Sequence, residues 1–107
     1  MHTIEEEMIR AARYRNGFCK GNTCLTWNET GNAFYVALHG NTIARGELDM
    51  FGIPRLTAVN LCGWNTVTTR SRIRAFGVPL TTKKGVPYIG KTEIPESGWM
   101  ELYAKQG

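Results

Sequence analysis

The segment AFYVALHG, residues 33–40, alternates apolar and less apolar side chains. Phe34 and Leu38 fall on one face of an extended chain, and Tyr35 and His39 fall on the other. Successive side chains of a β-strand point to opposite sides of the sheet, so this pattern predicts a strand with one buried face.

Strand patterns recur on both sides of this segment. They cover residues 23–27 (TCLTW), 42–47 (TIARGE), 56–63 (LTAVNLCG), 78–90 (VPLTTKKGVPYIG, a hairpin with Lys83-Lys84-Gly85 at its tip) and 98–104 (GWMELYA, a closing strand). The turn sequences NETGN and HGN separate the first strands, which indicates antiparallel hairpins.

Two helices complete the prediction. Residues 3–15 form the first, because Thr3 and Glu6 have the spacing of a capping box. The second begins at an N-cap within residues 68–71 and ends at Gly77. The expected fold is therefore a single α+β domain over residues 1–107. It has an antiparallel sheet of about five to seven strands, an N-terminal helix and a short second helix.

Composition favours a cytoplasmic protein. The 107 residues are 42% hydrophobic and carry a net charge of +4. No apolar run approaches the ~18 residues of a membrane span, and the N-terminus lacks the apolar middle of a signal peptide. Residues 55–92 contain seven basic side chains and no acidic one, which suits a phosphate-rich or acidic partner. A solvated basic face that aids solubility is the alternative.

The three cysteines are expected to be reduced. Cys19 and Cys24 are separated by four residues, and Cys62 is far from both. An odd count without a secretion signal argues against a disulfide framework. The irregular positions of the cysteines and histidines also disfavour a zinc site, so no metal and no cofactor are expected.

The stretch GWNTVTTRSRIRAFG, residues 63–77, sets four hydroxyl side chains among three arginines and contains no acid. The start of a helix carries roughly half a positive charge and unpaired N–H groups. Arginines at this place are unfavourable unless an anion from outside docks there. In the alternative interpretation the hydroxyls only cap the helix, and the arginines cover apolar surface or pair with Glu93 or Glu96.

Aromatic and lysine side chains extend this candidate interface. Trp64 adjoins the basic helix, and Tyr35 lies on the less buried face of its strand, so both are candidates for base stacking. Trp27 is expected in the core, and Trp99 and Tyr103 are expected to close the sheet. The predicted nucleic-acid-binding residues are Tyr35, Trp64, Thr66, Thr68, Thr69, Arg70, Ser71, Arg72, Arg74, Lys83 and Lys84.

Three segments carry a resemblance to a family: LHGNTIA (38–44), CGWNTVTTRSRIRAF (62–76) and KKGVPYI (83–89). In this order, across about residues 22–90, they resemble small bacteriophage-encoded proteins, mostly of unknown function. These share a Leu-His-Gly-Asn segment followed by Gly-Trp-x-Thr-x-Thr-Thr-x-Ser-Arg. Arg74 stands where that pattern often has asparagine. The matching residues are His39, Gly40, Asn41, Gly63, Trp64, Thr66, Thr68, Thr69, Ser71, Arg72, Ile73 and Ala75. The resemblance implies a phage source and the host cytoplasm, and it brings no catalytic role.

The leading functional hypothesis is a phage accessory protein that binds single-stranded DNA or RNA. The alternative is an inhibitor of a host protein, such as a defence or nucleic-acid-processing enzyme. An enzyme is not expected, because no phosphate-binding glycine loop or paired carboxylates occur; a Cys–His pair using His39 is the remaining route. No membrane partner is expected. Unpaired edges of the third strand or the tail allow a homodimer.

Overall fold

The computed structural model describes residues 3–102 as two antiparallel sheets and two helices. The helices are α1 (Ile4–Arg13) and α2 (Val67–Arg74). The strands are β1 (Phe18–Lys20), β2 (Thr23–Trp27), β3 (Phe34–Leu38), β4 (Asn41–Leu48), β5 (Pro54–Val59), β6 (Leu80–Lys83), β7 (Val86–Ile89), β8 (Thr92–Glu93) and β9 (Met100–Glu101). The larger sheet has the order β1-β2-β3-β4-β5-β9, and the smaller has the order β6-β7-β8.

The expected α+β class is wrong, because the described part of the chain is mostly β. The two sheets contain six and three strands, whereas the two helices contain only 10 and 8 residues. Each helix is under about three turns long, too short to form a layer comparable to a sheet. The expected antiparallel pairing is present, but the hairpin β6-β7 pairs with β8 instead of extending the larger sheet.

The ends of the elements agree with the predictions in part. Thr3 caps α1, and its Oγ1 accepts a hydrogen bond of 3.1 Å from the Glu6 N–H, as the capping box predicted. The cap of α2 is Thr66, two residues before the predicted range. The closing strand is shorter than predicted. It pairs with β5 at residues 100–101, and positions 103–104 of the predicted strand lie outside the described residues.

A single core joins both sheets and both helices. Phe34 is fully buried at its centre, with Met8 from α1 and Ile73 from α2 packed into the same cluster. The smaller sheet is attached to this core through Leu80, and the loop after β8 is attached through Ile94. Burial of these apolar side chains is what stabilises two otherwise separate sheets as one body.

The prediction of three reduced cysteines is wrong, because Cys19 and Cys24 form a disulfide. The sequence pattern did not predict β1. This strand pairs antiparallel with β2 and places the two residues directly opposite each other, with 4.0 Å between their Cα atoms. Cys62 remains a free thiol that donates to the Thr42 carbonyl oxygen at 3.2 Å. Burial raises the pKa of the Cys62 thiol.

The turn between β4 and β5 is held by one carboxylate. Asp49 Oδ1 accepts hydrogen bonds from the N–H groups of Phe51 (2.8 Å) and Ile53 (3.0 Å), and Oδ2 accepts from Arg55 Nε at 2.8 Å. The turn thereby presents Met50 and Phe51 to solvent, with 89% and 79% of their surface exposed. The hydrogen bond from Arg55, followed by the one from Ile53, lowers the pKa of Asp49.

This lowered pKa predicts an acid-resistant turn. A carboxyl whose pKa is lower in the folded chain stabilises the fold fully above its unfolded pKa, and the stabilisation is lost as pH falls through the folded pKa. We therefore expect the amide resonances of Phe51 and Ile53 to titrate below the ordinary aspartate value of 3.8. An NMR titration measures this, with Asp49→Asn as the control that removes the inflection. An inflection at or above 3.8 in the unaltered chain would contradict the assignment.

Candidate functional site

The hydroxyl groups at the start of α2 bond to the helix and to one another. Thr66 Oγ1 accepts a hydrogen bond of 3.2 Å from the Thr69 N–H and lies 3.0 Å from Thr69 Oγ1. Thr69 is buried, and Thr68 is half-buried. A threonine hydroxyl therefore caps the helix, as in the capping alternative, and it satisfies the Thr69 N–H within the chain.

The three arginines of α2 do not form the single cradle that the sequence predicted. Arg70 Nη1 donates to the backbone oxygen of Asn65 at 3.1 Å and to its side-chain oxygen. Arg74 Nε donates to the Leu80 carbonyl oxygen at 2.8 Å. Arg72 points into the protein. Each of the three guanidinium groups therefore has a different partner within the chain.

Arg72 and Ser71 are bound internally to Glu5 of α1. Glu5 Oε2 accepts a hydrogen bond of 2.8 Å from Ser71 Oγ and forms an ion pair with Arg72 Nη1. Only 12% of the Arg72 side chain is exposed. The carboxylate partner thus comes from the N-terminal helix and not from the tail residues Glu93 and Glu96. We therefore exclude Ser71 and Arg72 from the candidate interface.

A chain of hydrogen bonds runs from this ion pair to His39. Arg72 Nε donates to Thr23 Oγ1 at 3.0 Å, and Thr23 Oγ1 donates to Asn22 Oδ1 at 2.9 Å. Asn22 Nδ2 lies 3.3 Å from His39 Nε2. The amide nitrogen can only donate, so Nε2 accepts and a neutral His39 ring carries its proton on Nδ1. His39 is thereby oriented in the turn between β3 and β4.

A pocket of about 370 Å³ brings together two of the three segments that carried the family resemblance, residues 38–44 and 62–76. One wall comes from the β3–β4 turn and the other from the loop before α2 and the first turn of the helix. The side chains of Leu38, Ile43 and Leu61 supply an apolar floor. The lining residues are Leu38, His39, Asn41, Ile43, Leu61, Trp64, Thr66, Thr68 and Thr69. An apolar lining with a few polar groups is typical of sites for small organic ligands.

Basic groups flank this pocket. Trp64, at its rim, is 61% exposed. The next residue, Asn65, accepts from Arg70 and donates through Nδ2 to the Gly85 carbonyl oxygen at 2.8 Å. This side chain therefore holds the tip of the β6–β7 hairpin beside the start of α2. That tip carries two exposed cations, Lys83 and Lys84.

Tyr35 does not belong to this cluster. It lies between Phe34 and Val36, which are both buried in the core, so its side chain points to the opposite face of the larger sheet. There its cross-strand neighbours are Thr26 and Arg45. The structure thus places Tyr35 on the opposite face from Trp64, and we leave it out of the candidate interface.

Sequence reasoning missed three residues that build the site. Asn22 orients His39, Asn65 joins the hairpin tip to α2, and Glu5 neutralises Arg72. Each acts through a contact between segments distant in the chain, and no local pattern signals such a contact. His39 was named in the family resemblance and as a possible Cys–His partner, and the structure places it in the lining of the pocket.

Two further kinds of site are not seen within residues 3–102. No three His, Cys, Asp or Glu side chains in this range are grouped so that they could hold a metal ion. None of the helices there is long and apolar enough to cross a membrane.

Comparison with known families identifies the class of protein. A family model described as Kyanoviridae Gp96 protein matches residues 1–104. The chain belongs to this family and is a phage protein. No curated protein and no solved structure shows significant similarity to it.

Proposed function

We propose that this phage protein binds single-stranded nucleic acid, with an unpaired base in the pocket beside Trp64. The observation that carries the proposal is that segments 38–44 and 62–76 line one pocket together, with the exposed indole of Trp64 among its lining residues. Stacking on an aromatic side chain is the usual way in which proteins hold unpaired bases, and it tolerates any base sequence.

The polar groups of the pocket suit the edge of a base. With His39 Nε2 accepting from Asn22 Nδ2, the other ring nitrogen, Nδ1, is an N–H donor. The hydroxyl groups of Thr66 and Thr68 can donate and accept. An apolar floor with such groups at its rim can hold a base by stacking and by its hydrogen-bonding edge.

The cations beside the pocket suit the phosphates. Lys83 and Lys84 lie at the hairpin tip. Arg70 Nη1 donates a hydrogen bond to Asn65, and Asn65 in turn bonds to Gly85 at that tip. Phosphate contacts by such groups give a binding constant that falls steeply with salt. The proposed interface therefore comprises Trp64, Thr66, Thr68, Arg70, Lys83 and Lys84 of the predicted residues, together with His39.

Replacing Trp64 by alanine tests this proposal. Loss of one stacked base costs about 1–3 kcal/mol, so we expect the affinity for a labelled dT or U 12-mer to fall about tenfold or more. Fluorescence anisotropy at low salt measures it. Trp99→Ala is the matched control, because Trp99 is also exposed (47%) and does not line the pocket. Equal affinities for the two variants, or no binding of either oligonucleotide by the unaltered chain, would overturn the proposal.

Binding to a host protein is the second candidate function, and the β4–β5 turn favours it. Met50 and Phe51 project from a turn that Asp49 holds in one conformation. Preorganised apolar side chains of this kind are typical anchors in protein interfaces. A single stoichiometric host protein that remains bound after nuclease treatment, with no oligonucleotide bound by the purified chain, would favour this candidate over the first.

A further inference from the structure

A second concave surface lies on the other side of α2, between α2 and α1. This groove has a volume of about 820 Å³. Ile9 of α1 and Ala75, just past α2, provide its apolar part. The first helix thus forms one wall of this groove.

The charges in the groove are segregated along α1. Glu5 and Glu6 lie at the end nearest the start of the helix, and Glu5 is neutralised by Arg72. Arg10 and Arg13 lie one to two turns further along α1, and Arg74 at the end of α2 lines the same groove. Three arginines from two helices therefore line one groove.

These guanidinium groups are available to a ligand. Within residues 3–102, Arg10 and Arg13 make no side-chain hydrogen bond or ion pair. The bond from Arg74 Nε to the Leu80 carbonyl oxygen fixes that side chain and leaves both Nη groups for other acceptors. An oriented guanidinium fork is well suited to phosphate oxygens.

The groove also carries an aromatic wall. Tyr14, which caps the end of α1, is 71% exposed and lines the groove beside the arginines. Arginines next to an exposed ring are the combination that binds both the phosphates and the bases of a single strand.

We infer that the α1–α2 groove binds phosphate groups, and that it continues the strand path that begins at the Trp64 pocket. This inference rests on the proposed function. Residues of α2 line both surfaces, with Thr68 toward the pocket and Arg74 toward the groove. Arg70 and Arg74 are one turn apart, so a strand that crosses α2 meets both. The same phosphate chemistry is also present in free polyphosphate.

The double variant Arg10→Gln/Arg13→Gln tests the groove. Glutamine is a good helix former, and circular dichroism verifies that α1 persists. We expect the affinity for dT12 to fall about tenfold and the slope of log K against log salt to become shallower by about 1.4, for two lost phosphate contacts on a single strand. Arg15→Gln/Arg45→Gln is the control, because it removes the same charge from exposed arginines outside the groove.

Oligonucleotide length separates this inference from the proposed function. A dT3 probe is short enough to occupy the pocket alone, so its binding should be lost in Trp64→Ala and unchanged in Arg10→Gln/Arg13→Gln. If dT12 binding depends on Trp64 but is equal in the two arginine variants, the groove inference fails and the proposed function stands. If the unaltered chain binds neither probe but binds tripolyphosphate through Arg10 and Arg13, the groove holds free polyphosphate and the strand path is wrong. If polyglutamate binds as tightly as dT12, the groove is not specific for phosphate and the inference is overturned.

Discussion

Replacing Gly46 by alanine is expected to remove a large part of the stability of the fold. Gly46 is buried in β4, beside the register shift between β4 and β5. A Cβ atom added there would lie 2.5 Å from the Arg55 carbonyl oxygen and 2.5 Å from Cζ of Phe34. Both neighbours are rigid, because one is backbone in the adjacent strand and the other is a fully buried ring.

The size of this effect follows from overpacking. Extra methyl groups in a well-packed core cost about 1–3 kcal/mol and occasionally more, and a clash with two rigid groups belongs at the upper end. We expect a loss of about 3 kcal/mol or more, out of a total of roughly 5–15 kcal/mol for a domain of this kind. Urea unfolding measures the loss.

Gly17→Ala is the matched control for Gly46→Ala. A Cβ at Gly17 would meet only the Leu25 carbonyl oxygen, at an ordinary 3.7 Å, so its effect should be within about 0.5 kcal/mol. In a Phe34→Leu background the smaller side chain leaves more room for the added methyl group. Gly46→Ala should then lower the free energy of unfolding by less than in the unaltered chain. Equal unfolding midpoints for the two glycine variants would show that the close approach of Gly46 to Phe34 is incorrect.

Replacing Arg72 by alanine is expected to cause the second large loss of stability. The change leaves the Glu5 carboxylate without its ion-pair partner and Thr23 Oγ1 without its donor. Removing one member of a buried pair costs about 3–5 kcal/mol. Glu5 retains 29% exposure, so water compensates in part and we expect about 2–3 kcal/mol.

Arg70→Ala is the comparison that separates the two roles of the helix arginines. Arg70 bonds only to its neighbour Asn65 among the described residues, so its loss should cost about 1 kcal/mol or less while weakening oligonucleotide binding. A double-mutant cycle of Arg72→Ala with Glu5→Ala should give a coupling energy of about 1 kcal/mol or more. A stable Arg72→Ala chain that no longer binds oligonucleotide would return Arg72 to the interface.

Local patterns predicted most elements of the fold, and long-range pairing limited the rest. The alternation around Phe34 and the capping box at Thr3 each depend on a few neighbouring residues, and both predictions were confirmed. The strand β1, the second sheet and the Cys19–Cys24 bridge depend on which strands lie side by side. A short strand such as β1, with three residues, has too little alternation to be recognised.

The candidate site was also identified only in part, because its contacts join segments that are distant in the chain. The stretch 63–77 drew attention to Trp64 and to the start of α2 because its composition is unusual, and both line the pocket. Composition does not give the direction of each side chain, however, and Arg72 proved to face inward. The missing acid was supplied by Glu5, which is 67 residues away in the chain. Only the tertiary structure could show that pairing.

The double role of Asn65 has a consequence for which amino acids this position can accommodate. Its short amide offers an oxygen to Arg70 and a nitrogen to the Gly85 carbonyl at the same time. Aspartate would keep the first bond but set two oxygens against each other, leucine would lose both bonds, and glutamine adds a methylene that shifts both atoms. Position 65 therefore has no chemically equivalent substitute. A substitution there would release the tip of the β6–β7 hairpin, with its two lysines, from the start of α2.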